Sequence, residues 1–305
     1  MSHKLLILTQ NEDKYRTLIE KARLVNLEFA NQPASDIDIV LGEPSRIKAM
    51  LGSLSALSWV QSTSAGVEPL LDPALRHDYI LTNARGVFGG LMSEYVIGYM
   101  LAFERKIFQK LEAQKNKHWD KSDTGSLRGK TIGLLGVGSI GAEVARTAKF
   151  FGMNVRGYTS NSETSTHIDK YYHGKELLEF ANGLDYLVSI LPSTVDTRKK
   201  INRDLLNALP SHAVVINVGR GSALDETALV EVLNQNKIAG AVLDVFEKEP
   251  LPKDHPFWTI PNLLMTFHTA APSLPEDITE LFIENYLLYA EGKPLKYQVD
   301  FEKGY

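Results

Sequence analysis

The stretch GLLGVGSIGAEVARTAKFFG, residues 133–152, constrains this chain more than any other. An apolar run from Ile132 to Leu135 leads into glycines at 136, 138 and 141. A helical periodicity follows, with Ile140, Val144, Ala148 and Phe151 on one face and Gly152 as its stop. By itself the G-x-G-x-x-G spacing also suits an ordinary strand–turn–helix corner. Between a strand and a helix each glycine has its own work. Gly136 permits the tight turn, Gly138 lets the backbone approach a pyrophosphate, and Gly141 lets helix and strand pack closely. The helix N-terminus adds free N–H groups and a partial positive charge. The stretch therefore predicts the phosphate loop of a dinucleotide-binding domain.

The rest of the chain supplies what such a loop needs. KTIGLLGVG, NVRGYT, LDYLVSIL, HAVVINVG, AGAVLDVF and NLLMTFH are six apolar strands separated by helical segments, as a doubly wound sheet requires. An earlier series, KLLILT, DIDIVLG, LSWVQSTSAG and YILTNARG, with the amphipathic NEDKYRTLIEKA between strands, reads as a second parallel sheet. Between the two series, Gly90 to Lys117 reads as one long connecting helix with a charged, solvated second half. The fold class expected is α/β with two domains. The first, discontinuous, takes residues 1–98 and 282–305, because EDITELFIENYLLYAEG and the tail are expected to return to it; the dinucleotide-binding domain takes 99–281.

Composition removes competing functions. With 33 basic and 37 acidic residues and no long like-charged block, nothing marks a nucleic-acid footprint or a basic membrane face, so the expected partner is a small molecule. No run approaches the roughly 18–20 apolar residues that span a bilayer, and MSHKLLILTQ lacks a signal-peptide pattern, so a cytoplasmic location is expected. The absence of cysteine excludes disulfides, thiolate metal centres and a cysteine nucleophile. Histidines other than His268 form no metal-type spacing and no G-x-S-x-G elbow occurs, so no metal is expected and a serine hydrolase is disfavoured.

In open α/β sheets, ligands lie outside the carboxyl ends of the strands. Three strand ends carry reactive groups: Arg220 after HAVVINVG, Asp244 and Glu249 after AGAVL, and His268 after NLLMTF. An arginine could hold a substrate carboxylate in a bidentate pair, and a histidine could give a proton to a carbonyl oxygen as hydride arrives. Glu249 paired with His268 would keep the imidazole protonated and turned correctly, because a close negative charge favours the charged form. Singly, each has an ordinary explanation as a surface charge, a loop residue or a structural histidine.

At these residues the sequence resembles the D-isomer-specific 2-hydroxyacid dehydrogenase family, its second half being most similar to the glyoxylate/hydroxypyruvate reductase A branch. The resemblance runs from STSAGVE through GLLGVGSIG, LPSTVDTR, NVGRGSALDETAL and AVLDVFEKEPLP to VDFEKGY. It implies a flavodoxin-like substrate domain, a Rossmann cofactor domain, an active cleft between them and a homodimer. It places the catalytic arginine, glutamate and histidine on Arg220, Glu249 and His268, and the substrate-carboxylate loop on Ala65 and Gly66. Cofactor contacts fall on Gly138, Ser139, Ile140 and Gly141, on Leu191 and Pro192, and on Val218, Gly219 and Asp244. The implied reaction moves a hydride between NAD(P)H and a small 2-oxo acid such as glyoxylate or hydroxypyruvate, giving the (R)-2-hydroxy acid. A 3-phosphoglycerate-type dehydrogenase and a non-catalytic dinucleotide sensor on the same fold are the alternatives. The chain departs from the family at Gly219, where Ala or Ser is usual, and at Phe267, where Pro is frequent. It also carries Arg85, either an added charge near the entrance or a surface residue.

About twenty residues past the phosphate loop, a protein that grips NAD usually places an acid on the ribose hydroxyls. Here the stretch is GYTSN, with Thr159, Ser160 and Asn161 in that place. A carboxylate there would repel the 2′-phosphate of NADP, so its loss removes a barrier that hydroxyls at Thr159 and Ser160 could turn into an attraction. The expected cofactor is NADP(H) in preference to NAD(H).

Overall fold

The computed structural model describes residues 2–160 and 163–303; Asn161 lies outside the described residues. The chain divides into two compact units, residues 1–87 with 273–305, and residues 88–272. The first holds β1 (His3–Leu8), α1 (Glu12–Lys21), β2 (Leu27–Ala30), β3 (Ile39–Gly42), α2 (Pro44–Met50), β4 (Trp59–Ser62) and β5 (Ile80–Thr82). The second holds α3 (Gly89–Glu104), α4 (Ile107–Lys115), β6 (Thr131–Leu135), α5 (Ser139–Phe150), β7 (Asn154–Tyr158), β8 (Lys170–Tyr172), α6 (Leu177–Ala181) and β9 (Tyr186–Ser189). It continues with α7 (Arg203–Ala208), β10 (Val214–Asn217), α8 (Glu226–Asn234), β11 (Gly240–Leu243) and β12 (Leu263–Met265), after which α9 (Pro275–Ala290) belongs to the first unit.

The smaller unit is a parallel sheet in the order β2-β1-β3-β4-β5, the flavodoxin-like arrangement. Residues distant in sequence are joined at its centre. Trp59 of β4 stacks on Phe282 of α9 with ring centroids 5.2 Å apart and planes 5° from parallel, worth about 0.5–1.5 kcal/mol beyond the area buried. Beside it, Asn285 Nδ2 and Thr82 Oγ1 both donate to Gln61 Oε1, at 3.0 and 2.8 Å. Buried amides cost free energy unless paired, so this network fixes where α9 lies on the sheet.

The larger unit is a seven-stranded parallel sheet in the order β12-β11-β10-β9-β6-β7-β8. Strands β9, β10 and β11 are buried along their whole length, as expected of a sheet covered on both faces. One face packs against Val96, Ile97 and Met100 of α3 and Val144, Ala145 and Ala148 of α5. The other packs against Phe180 of α6, Leu205 and Leu206 of α7, and Leu229 and Val232 of α8. Strand order reverses between β6 and β9, the switch point at which doubly wound folds bind ligands.

Several expectations need correction. Seven strands, not six, form this sheet, because Lys170–Tyr172 joins its edge; three residues within polar surroundings carry too little apolar pattern to read as a strand. The four-residue edge strand β2 was missed for the same reason. The helix expected over Gly90–Lys117 is two helices, broken where Lys106 takes φ +53. No residue of α4 is buried, so no apolar stripe keeps it in line with α3. The boundaries expected after residues 98 and 281 fall inside α3 and α9, whereas the units part at 87/88 and 272/273 and leave both helices whole. Among the described residues no helix is long and apolar enough to cross a membrane.

Two glycines of the loop after β6 differ in what they need from the protein. A Cβ on Gly141 would lie 2.4 Å from the Gly136 carbonyl oxygen, whereas one on Gly138 would meet no protein atom within 4 Å. Gly141→Ala should therefore lower unfolding free energy by about 1–3 kcal/mol. Gly138→Ala should stay within about 0.5 kcal/mol of the parent in the same urea titration.

Candidate active site

All seven strands of the larger sheet run parallel, so their carboxyl ends share one edge. The predicted residues follow these ends: Gly136 to Gly141 after β6, Thr159 after β7, Leu191 and Pro192 after β9, Val218 to Arg220 after β10, Asp244 after β11, and His268 shortly after β12. Strands β10, β11 and β12 are neighbours, which brings Arg220, Asp244 and His268 into sequence along the edge.

At the phosphate loop, Gly136 takes φ +96, a region that favours glycine, and Gly138 is the N-cap of α5 with no side chain capping the helix. Gly138 and Ser139 are exposed, Ile140 is half-buried and Gly141 is buried. The first N–H groups of a helix lack internal acceptors, and the space that a Cβ would fill over Gly138 is open. These residues fit a dinucleotide pyrophosphate. Gly219 is close-packed instead: a Cβ there would lie 2.6 Å from both N and O of Leu191, so the family's usual Ala or Ser would force this loop outward.

Beyond β7, Thr159 is half-buried and Ser160 exposed. The Thr159 carbonyl accepts a bond from His173 Nδ1 at 2.9 Å, and His173 Nε2 meets Glu163 Oε1 at 2.6 Å. The Glu163 hydrogen bond, followed by that to the Thr159 carbonyl, holds the His173 imidazole above its usual pKa. His173 is a cation-forming group that sequence reasoning left out, since only the pairing of β7 with β8 brings it beside Thr159. Lys170 is turned away, bound to Glu179 at 2.9 Å and lying over the Tyr172 ring.

Glu249 and His268 are in contact. His268 Nδ1 lies 2.8 Å from Glu249 Oε2, while Glu249 Oε1 accepts the Phe246 N–H at 2.9 Å, so the carboxylate is fixed by its own loop. The loop after β10 rests directly on that segment. A Cβ on Gly221 would lie 1.9 Å from the Phe246 carbonyl carbon, and only glycine fits beside Arg220. Arg220 is half-buried, its Nη1 donating to the Gly219 carbonyl at 2.8 Å. Its turn is shaped by Asn217, fully buried at the end of β10, which donates to the Arg220 carbonyl at 3.1 Å and accepts from the Gly219 N–H at 3.3 Å. Asn217 was missed, although a polar residue closing the apolar run HAVVIN was the available signal. Phe267, 59% exposed, stacks on Trp258 at 5.8 Å.

In the smaller unit, Ala65 and Gly66 follow β4 in a loop held by Asn83 Nδ2, which donates to the Ala65 carbonyl at 3.0 Å. Ser62 ties the same loop, its Oγ donating to the Ser64 carbonyl and accepting the Ser64 N–H at 2.9 and 3.0 Å. Arg85 is exposed.

The sequence carries known relatives. Residues 97–270 match the family described as D-isomer specific 2-hydroxyacid dehydrogenase, NAD binding domain. A protein of Yersinia enterocolitica named glyoxylate/hydroxypyruvate reductase A is 32% identical over 281 residues, covering 90% of this chain and 88% of the relative. The solved structure of a D-isomer specific 2-hydroxyacid dehydrogenase family protein from Aeromonas salmonicida is 39% identical, with a TM-score of 0.95 over 99% of this chain and all of that one. An NADPH-dependent glyoxylate/hydroxypyruvate reductase from Sinorhizobium meliloti, solved with NADP and sulfate, is 25% identical with a TM-score of 0.89 over the full length of both chains. With the paired Glu249 and His268, the Arg220 turn and the glycine loop on one sheet edge, the chain belongs to the D-isomer specific 2-hydroxyacid dehydrogenase family.

Proposed function

We propose that the protein reduces a small 2-oxo acid of the glyoxylate or hydroxypyruvate kind to the (R)-2-hydroxy acid, with NADPH as the preferred cofactor. The observation that carries the reading is the 2.8 Å contact between His268 Nδ1 and Glu249 Oε2 at the sheet edge that also bears Arg220. The names of similar proteins support the substrate class. The nicotinamide, when bound, supplies the hydride.

The chain's own residues do the rest. Arg220 pairs with the substrate carboxylate and fixes the adjacent carbonyl, so rate comes from orientation and from a charge already in place. The substrate-carboxylate loop of this reading is Ala65 and Gly66, through their backbone N–H groups. Glu249 accepts a hydrogen bond from Nδ1–H of His268, which leaves Nε2–H to give its proton to the carbonyl oxygen and the bare Nε2 to take that proton back in the reverse direction. Gly136, Gly138, Ser139, Ile140 and Gly141 would hold the pyrophosphate, Leu191 and Pro192 would serve the adenosine side, and Val218, Gly219 and Asp244 the nicotinamide side. Residues 88–272 supply the cofactor domain of this reading, and 1–87 with 273–305 the substrate domain. The same reading includes a homodimer and a cytoplasmic location.

Cofactor choice follows from Thr159. A hydroxyl there leaves the 2′-phosphate unrepelled, and the cofactor in the Sinorhizobium meliloti relative is NADP.

Steady-state reduction of glyoxylate, followed by loss of NADPH absorbance, tests the chemistry. His268→Ala and Arg220→Ala should each lower kcat/KM by about 10²–10⁴-fold while NADPH binding, read by fluorescence, stays within about twofold. Full turnover in both variants refutes the assignment. Thr159→Asp should move the ratio of kcat/KM for NADPH over NADH towards NADH by at least about tenfold; a parent enzyme that already prefers NADH overturns the cofactor reading.

A further inference from the structure

Three successive amides around His268 end on one residue. The Asp244 carbonyl accepts the His268 N–H at 2.7 Å. Its Oδ1 accepts the Thr269 N–H at 2.8 Å, and its Oδ2 the Ala270 N–H at 3.0 Å. His268 is thereby held at φ +59, a left-handed conformation that costs a residue with a Cβ about 1–2 kcal/mol and persists only where the surroundings impose it. The direction of the imidazole depends on that turn, and so on the orientation of the Asp244 carboxylate.

That carboxylate, 3% exposed, is itself oriented from behind. Thr266 Oγ1 lies 2.5 Å from Asp244 Oδ1, and the Tyr95 hydroxyl, on α3, lies 2.6 Å from Thr266 Oγ1. Both Asp244 oxygens already receive N–H donors, so the Thr266 hydroxyl gives its proton to Oδ1 and takes that of Tyr95 on its own lone pair. The chain therefore has one direction, from Tyr95 through Thr266 to Asp244. We propose that Tyr95 is a positioning residue for His268, acting through Thr266 and Asp244 to hold the histidine backbone in its left-handed turn. Burial pushes the Tyr95 phenol well above its usual pKa, with the Asp244 charge adding to it, so the hydroxyl keeps the proton that the chain requires. Chains of this kind in low-dielectric surroundings stiffen cooperatively, which suits a device for holding one turn.

The inference rests on the proposed acid–base role of His268, and the test separates the two. Full-length Tyr95→Phe, Thr266→Val and Thr266→Ser are compared with the parent in glyoxylate reduction with NADPH. Thermal melting and amide exchange at His268, Thr269 and Ala270, read by NMR without substrate or cofactor, complete the set. Tyr95→Phe should lower kcat by about tenfold, the upper end of what one hydrogen bond between neutral groups contributes. The KM for glyoxylate should stay within about twofold, and exchange at Thr269 and Ala270 should quicken without a matching loss of melting temperature. Thr266→Val should do the same, and Thr266→Ser should restore both rates because it keeps the hydroxyl. Parental kcat and exchange in both Tyr95→Phe and Thr266→Val overturn the proposal, as does an equal loss in Thr266→Ser and Thr266→Val. A parent protein that leaves glyoxylate unreduced counts against the functional reading alone; unchanged protection of Thr269 and Ala270 in Tyr95→Phe then overturns the clamp by itself.

Discussion

Seven strands hydrogen-bonded in parallel oblige every carboxyl end to open on the same edge of the sheet. The rest of the larger unit depends on that constraint. The phosphate loop, the Thr159 segment, the Arg220 turn, Asp244 and the His268 loop are spread from residue 136 to residue 268, and the strand order gathers them. Strands buried on both faces give this edge a rigid base. Val214 to Asn217 and Gly240 to Leu243 leave no residue exposed, so the loops that follow them start from fixed points.

Close backbone approach then sets distances within the edge. Gly141 lets α5 come down on Gly136, Gly221 lets the Arg220 turn lie on the segment carrying Glu249, and Gly219 does the same against Leu191. In each case a single Cβ would meet backbone atoms, which cannot swing aside as a side chain can. Gly138 is different in kind, because no protein atom faces it. Its place at the start of α5, with no side chain capping the helix, leaves that helix end open, as an anion site requires.

Polar anchoring supplies the remaining precision. Glu249 is held by a backbone N–H before it touches His268, and Asn217 shapes the turn before Arg220 leaves it. Asp244 collects three amides of the histidine loop through its carbonyl and both carboxylate oxygens. Glu249, Arg220 and His268 are thus oriented by neighbours that are themselves hydrogen-bonded, and buried polar groups are stable only when paired.

The sequence by itself determined the class of fold and the residues worth watching. Short continuous apolar runs between amphipathic segments point to parallel strands and covering helices, and GLLGVGSIG after such a run marks the phosphate loop. Arg220, Glu249 and His268 were legible because polar groups stand out where an apolar strand ends. Short edge strands at Leu27–Ala30 and Lys170–Tyr172, and the break at Lys106, were not legible, since three or four residues or one backbone angle leave no periodic trace. The tertiary structure alone decided which distant groups touch: His173 against Thr159, Asn217 beneath Arg220, and Tyr95 joined through Thr266 to Asp244. Local pattern reports which face of an element is apolar. Contacts between residues far apart in sequence follow from strand order and helix packing, which no local window contains.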